Sequence, residues 1–227
     1  MSDFRNWMRC IRWEPTSLDL SWDVRFNGNI IEPKEIADCY NVVRTLTCVT
    51  TLRIRQLPNL DLWTNLPPHW TNLRHLSLEF NDDFLKGFQK SLNQMTKLEM
   101  LVLNFQVPPK FANLDLSHLE RLTTLSVKLH PEFTPQRLVL GVMPDLEVLI
   151  LMEPFRKGEN PNVNQPCKLL ETLPKLTRME KLQWEFMSET DYNAIGAYLP
   201  ENITDLTLST FPATDSLSPI LLDYFQR

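Results

Sequence analysis

Glycine is scarce in this sequence, and its scarcity limits the ligands that the chain is expected to hold. Only five glycines occur among 227 residues. None of them belongs to a GxGxxG motif or to another loop that cradles phosphate groups. Such loops use glycine because the backbone must approach the phosphates closely. The sequence therefore gives no support for nucleotide binding.

Metal-binding and disulfide patterns are also lacking. The four cysteines, at positions 10, 39, 48 and 167, include no CxxC pair, and the four histidines show neither HxxxH nor HxH spacing. Zinc ligands usually stand at such short spacings, and a disulfide framework needs more cysteines in a shorter, secreted chain. We therefore expect no metal, no cofactor and free thiols in a reducing compartment.

Long apolar runs and a strong net charge are missing as well. No window of about 18 apolar residues could span a membrane, and the first residues, MSDFRNWMRCIRW, lack the apolar stretch of a signal peptide. The formal net charge of −5 disfavours binding to a phosphate backbone. We expect a cytoplasmic or nuclear protein whose partners include neither membrane nor nucleic acid.

What the sequence does contain is an internal repeat of the form LxxLxL. Its copies begin at Val49, Leu73, Leu98, Leu122, Leu146, Met179 and Ile203, and a degenerate first copy contains Leu18 and Leu20. The middle residues of the seven copies follow one another at spacings of 24, 25, 24, 24, 33 and 24 residues. So regular a period indicates stacked units, each burying its leucines against its neighbours.

This pattern resembles the leucine-rich-repeat superfamily from about residue 15 to residue 211. Helical segments between the copies make the chain similar to the ribonuclease-inhibitor-like branch. They also make it similar to the repeat part of F-box leucine-rich-repeat proteins, without an F-box. The resemblance implies an α/β solenoid of about eight irregular repeats, with a concave parallel sheet and helices on the convex side. The asparagine or cysteine that the family often carries after its last leucine is matched only by Asn81, so we expect irregular loops there.

We expect one leucine-rich-repeat domain over residues 1–227. Its predicted parts are an N-terminal cap at 1–14, repeats at 15–211 and a C-terminal capping helix at 212–227. Helix-start residues and apolar spacing predict helices at 33–43, 84–92, 136–142, 167–173, 189–199 and 220–225.

Three tryptophans need an interpretation. Trp184 stands at a template leucine position and is predicted to lie in the core. Trp63 and Trp70 are either packed beneath a loop or exposed as binding anchors, since aromatic side chains often anchor interfaces.

The concave face of the sheet is the predicted binding surface. Side chains alternate along a strand, so residues between the template leucines point away from the core. The predicted partner-binding residues are Arg53, Arg55, Met100, Val102, Asn104, Thr124, Ser126, Lys128, Val148, Ile150, Met152 and Arg156. Five of them are apolar at outward positions, which favours a hydrophobic patch flanked by charge. Alternatively, strand propensity alone accounts for these residues, or a loop of the same chain covers them.

The longest unit contains the segment 153–166, which is rich in proline, asparagine and charge. We interpret it as an excursion of the loop after the strand, and as a wall beside the patch. Arg156 belongs to this segment.

These features favour a non-catalytic module that binds a protein partner on its concave face, with no small-molecule substrate. The resemblance to F-box leucine-rich-repeat proteins implies a substrate-recognition adaptor in ubiquitin ligation. The alternative is a structural or assembly subunit built into a larger multiprotein complex. We expect no enzyme, because no combination of nucleophile, base and orienting group can be identified.

Overall fold

The computed structural model describes residues 16–21, 25–26, 29–30, 45–57, 68–80, 87–107, 113–130, 138–152, 167–187 and 189–210. Several predicted features lie outside these residues: the cap at 1–14, the helices at 33–43 and 212–227, Trp63, and the excursion 153–166 with Arg156.

Strands dominate the described part of the chain. They are β1 (Ser17–Ser21), β2 (Arg25–Phe26), β3 (Asn29–Ile30), β4 (Thr51–Leu57), β5 (His75–Phe80), β6 (Met100–Phe105), β7 (Leu114–Asp115), β8 (Thr124–Lys128), β9 (Leu138–Val139), β10 (Val148–Met152), β11 (Lys181–Met187) and β12 (Asp205–Thr210). Eight of these described strands form one parallel sheet in the order β1-β4-β5-β6-β8-β10-β11-β12. Chain order and sheet order therefore agree throughout, and each sequence repeat supplies one strand.

The strand register aligns the sequence repeats residue by residue. One row across the sheet consists of Leu18, Leu52, Leu76, Leu101, Leu125, Leu149, Leu182 and Leu206. From Leu52 to Leu182 these side chains are at most 1% exposed. Leu206 was expected to be equally buried, and this is wrong: it is only partly buried, because β12 has a described neighbouring strand on one side alone.

The main-sheet strands β5, β6, β8, β10, β11 and β12 are each preceded by a turn that the LxxLxL pattern does not include. In six described units the N–H of the first template residue donates to the carbonyl three residues earlier, as in Leu73 to Trp70 at 3.0 Å. That earlier position is fully buried in Trp70, Met95, Leu119, Met143 and Leu176. Trp70 is therefore packed in the core, and its alternative interpretation as an exposed anchor is wrong.

The helices that the structure describes are short, and three of the five are 3-10 helices. They are α1 (Phe88–Leu92), α2 (Glu189–Ala194) and the 3-10 helices Pro68–Asn72, Leu170–Lys175 and Ile195–Ala197. Pro174 was expected to end a helix, but it lies inside the 3-10 helix. An element this short contains few hydrogen bonds from backbone N–H groups, so it accommodates a proline, which has no N–H to donate.

The predicted helix at 136–142 is wrong. Leu138 and Val139 instead form β9, which pairs in parallel with β7. The Leu116 N–H donates to the Val139 carbonyl at 2.9 Å, so the preceding unit supplies the backbone partners that a helix would have provided internally. A β-branched residue such as Val139 also suits a strand.

The contact between units at this point leaves no room for a side chain at Gly141. A Cβ atom there would stand 2.6 Å from the Ser117 carbonyl oxygen and 2.7 Å from the Ser117 Cα. Because these are backbone atoms, relief would require the two units to move apart.

Gly141→Ala is therefore expected to lower the free energy of unfolding by about 1–3 kcal/mol, which is the usual cost of overpacking. Urea denaturation followed by circular dichroism measures this loss. Val142→Ala is the control, since Val142 is 63% exposed and should change stability little. Equal stability of Gly141→Ala and the wild type would contradict the close approach.

Candidate functional site on the open face of the sheet

Three rows of side chains cross the face of the sheet opposite the template leucines. The first row is Ser17, Thr51, His75, Met100, Thr124, Val148, Lys181 and Asp205. The second row is Asp19, Arg53, Ser77, Val102, Ser126, Ile150, Gln183 and Thr207. The third row is Glu79, Asn104, Lys128, Met152 and Glu185. All of these residues are exposed or half-buried, so the predicted alternation along the strands is confirmed for them.

Nine of the predicted site residues lie together on three adjacent strands, and we call them the central patch. They are Met100, Val102 and Asn104 on β6, Thr124, Ser126 and Lys128 on β8, and Val148, Ile150 and Met152 on β10. Met100 is 39% exposed, and the other four apolar members are half-buried. Apolar side chains that keep this contact with solvent in a folded protein are candidates for a binding surface.

Arg53 and Arg55 stand apart from the central patch. Both lie on β4, which β5 separates from β6. Arg53 forms an ion pair with Asp19 at 3.6 Å, while the neighbouring Thr51 hydroxyl and His75 Nδ1 are hydrogen bonded at 3.0 Å. This side of the face is therefore polar, and Arg53, Thr51 and His75 have partners within it.

The opposite side of the face is linked in the same way. Lys181 pairs with Asp205, and Gln183 donates from Nε2 to Glu185 Oε1 at 2.6 Å. Exposed pairs of this kind contribute little to stability. The apolar side chains of the central patch therefore lie between two polar zones that contain paired groups.

Lys128 is the charged member of the central patch. It is exposed at the carboxyl end of β8, and it forms no ion pair with any residue that the structure describes. Its neighbours in the third row are Asn104 and Met152. Asn104 Oδ1 instead accepts a hydrogen bond from Gln106 Nε2 at 3.1 Å. The described residues therefore leave the Lys128 charge without an ion-pair partner.

A ladder of backbone carbonyls holds the amino edge of the sheet, and the LxxLxL pattern does not predict it. Each carbonyl accepts two N–H groups from the next unit; Glu99, for example, accepts from Thr123 at 2.8 Å and Thr124 at 3.1 Å. The accepting residues are Thr16, Thr50, Arg74, Glu99, Thr123, Glu147 and Glu180. The recurrence of threonine was the available signal, because the Thr50, Thr123 and Thr204 hydroxyls reinforce the same bonds.

Charged side chains along this edge compensate one another. The Glu99 carboxylate lies 2.6 Å from Arg74 Nη1 and 3.9 Å from Arg121 Nη2. Arg178 contacts Asp145 at 2.9 Å and Glu147 at 3.2 Å. The edge therefore differs from the central patch, where Lys128 has no such partner in the part of the chain that the structure describes.

The part of the chain that the structure describes contains no cluster of metal-ligating side chains. Within those residues, no three His, Cys, Asp or Glu side chains cluster around a possible metal position. Hydrogen bonds from the Ser117 side chain and backbone N–H lower the pKa of Asp115, but Asp115 belongs to the short strand β7, outside the main sheet. No described helix is both long and apolar enough to cross a membrane.

Comparison with known proteins finds a likeness among solved structures. No protein-family model and no curated protein sequence matches this chain. Among solved structures, the chain is similar to the functional domain of InlJ from Listeria monocytogenes, which includes a cysteine ladder; the identity is 17% and the TM-score 0.34. The match covers 86% of this chain and 40% of the InlJ chain. Independently of that likeness, a parallel sheet with one strand per repeat fits a leucine-rich-repeat-like fold.

Proposed function

We propose that the chain is a leucine-rich-repeat solenoid of about eight irregular repeats that binds a partner protein through its central patch and catalyses no reaction. The 24-residue spacing and the one-strand-per-unit register support the solenoid, because such units bury their apolar residues only against neighbouring units. The face left uncovered by this stacking is the natural binding surface of the architecture.

One observation carries the binding role: five apolar side chains occupy neighbouring positions on the open face, between two polar zones. Covering apolar surface contributes roughly 25 cal/mol per Å², and a few central residues usually dominate an interface. Val102 and Ile150 stand in the second row on either side of Ser126. They are the central apolar contacts that we expect.

The finer assignment follows the resemblance to the ribonuclease-inhibitor-like branch and to F-box leucine-rich-repeat proteins. Under it the chain is a cytoplasmic or nuclear adaptor that recognises substrates for ubiquitin ligation. The alternative is a structural subunit of a larger complex. A complex that forms rapidly and weakens with salt would favour the adaptor, whereas a large apolar interface that resists salt would favour the permanent subunit.

The test is partner binding by Val102→Asp and Ile150→Asp. Each variant places a carboxylate where the partner would remove water, and desolvating an unpaired charge is costly. We expect affinity for the natural partner to fall by about a hundredfold or more, equivalent to roughly 3 kcal/mol. Affinity purification of the full chain with quantitative mass spectrometry identifies the partner, and titration of purified proteins then gives the affinities.

Thr207→Asp is the matched control, because Thr207 belongs to the same row but stands on β12. It should bind the partner nearly as well as the wild type does. Circular dichroism must show that all three variants are folded. Wild-type affinity in both folded patch variants would exclude the central patch as the binding site.

A further inference from the structure

The central patch contains a furrow that follows β8. Thr124 and Ser126 present small hydroxyl side chains, whereas the first two rows place larger apolar side chains on both neighbouring strands: Met100 and Val102 on β6, and Val148 and Ile150 on β10. Two successive rows therefore share one arrangement, with a small polar residue between two apolar ones. Together they form a channel with apolar walls and a hydroxyl floor.

The width of this furrow selects the shape of its occupant. Neighbouring strands are about 4.8 Å apart, so the backbones that carry the two walls are separated by roughly 9.6 Å. The side chains of the two walls occupy part of this distance, and the space that remains is about as wide as one extended chain. A helix is about 10 Å across with its side chains and would rest on top of the walls. An extended segment therefore fits the furrow better than a helix.

The chemical character of the furrow changes along its length. It begins between apolar walls in the first two rows and reaches Lys128 in the third, where the neighbours are Asn104 and Met152. Lys128 is exposed and has no carboxylate partner among the described residues. The carboxylates of the third row belong to Glu79 and Glu185, each two strands away. A ligand carboxylate centred over β8 would therefore complement the lysine.

We propose that the furrow binds an extended segment of the partner protein that has apolar side chains at alternate positions and an acidic side chain over Lys128. The inference rests on the proposed function and specifies its ligand. Alternate residues of an extended chain are about 6.6 Å apart, which is the spacing of alternate residues along β8 itself. The recognised pattern is thus apolar-x-apolar-x-acidic, or its reverse for a segment that runs the other way. Ser126 and Thr124 offer hydroxyls to the backbone of the bound segment.

The test is selection of random peptides on the immobilised full chain. The selected peptides should be enriched in the alternating pattern, and their affinities are then measured by fluorescence anisotropy. Ser126→Leu fills the floor of the furrow and should lower the affinity for these peptides by at least about tenfold, whereas Ser77→Leu should not. Ser77 is the matched control because it is a serine of the same row that lies beyond the β6 wall.

Charge reversal at Lys128 tests the acidic position of the segment. Lys128→Glu should lower the affinity for the acidic peptides by about tenfold, since hydrogen bonds between charged groups are strong. Peptides with lysine in place of the acidic residue should bind this variant with the affinity restored. Several outcomes overturn the proposal: selection of no peptide, selection of helical spacing, or peptide binding unaffected by Ser126→Leu and Lys128→Glu. If Val102→Asp abolishes capture of the natural partner while Ser126→Leu leaves it intact, the furrow fails and the proposed function stands.

Discussion

Leu125→Ala is expected to lower the free energy of unfolding by about 2–5 kcal/mol. Leu125 is fully buried and stands in the row of template leucines between Leu101 and Leu149. The truncation removes apolar contacts with both neighbouring units and leaves a cavity that close-packed surroundings cannot fill. Urea denaturation monitored by circular dichroism measures the loss.

Leu206→Ala is the matched control for this change, because it removes the same atoms from the same template position. Leu206 is only partly buried on β12, so less apolar surface is withdrawn from water in the folded state. Its truncation should cost clearly less than that of Leu125. Equal losses at the two positions, or no loss at Leu125, would contradict the burial gradient along the sheet.

Trp184→Ala is expected to cost about 3–5 kcal/mol, the usual range for truncating a buried tryptophan. Trp184 takes a template leucine position on β11 and pairs in register with Leu151 and Leu208. It is fully buried, so the core at this position is built around a side chain larger than the template residue.

Trp184→Leu separates the size of this side chain from its apolar character. Leucine restores the template residue but leaves part of the indole volume empty, so we expect a loss of stability smaller than that of Trp184→Ala. Denaturation midpoints of the two variants give the comparison. If Trp184→Leu is as stable as the wild type, the tryptophan does not fill a space specific to this unit.

The sequence predicted the main sheet because its repeat depends on local apolar spacing. Template leucines recur about every 24 residues. This spacing predicts which strand positions align, even when no long-range contact is known. The same argument correctly placed Trp184 in the core. The turn before six of the main-sheet strands was not predicted, although Met95, Leu119 and Met143 follow the same spacing, because the LxxLxL template begins three residues later.

The connecting segments were harder to predict because their backbone partners belong to other units. Local pattern favoured a helix at 136–142, but pairing with Leu114 and Asp115 made a strand of Leu138 and Val139. Nothing in the local sequence identifies that partner. Similarly, Gly141 looks like an ordinary helix residue until the Ser117 backbone is seen beside it.

The candidate site was predicted in composition but not in arrangement. Alternation along a strand was enough to select Met100, Val102, Val148, Ile150 and Met152. The strand register and the side-chain distances were needed to show that Arg53 pairs with Asp19. They were also needed to show that Lys128 has no such partner among the described residues. The furrow likewise depends on comparing three strands side by side, which no single strand reveals.

In the carbonyl ladder at the amino edge, the fold requires the main-chain bonds but not a particular side chain. Main-chain atoms join one unit to the next, so the side chain at each rung can change its size and sign without breaking the bonds. Threonine, arginine and glutamate all occupy this position in the present chain. The edge can therefore acquire new charge, and new selectivity for a partner, while the scaffold stays the same.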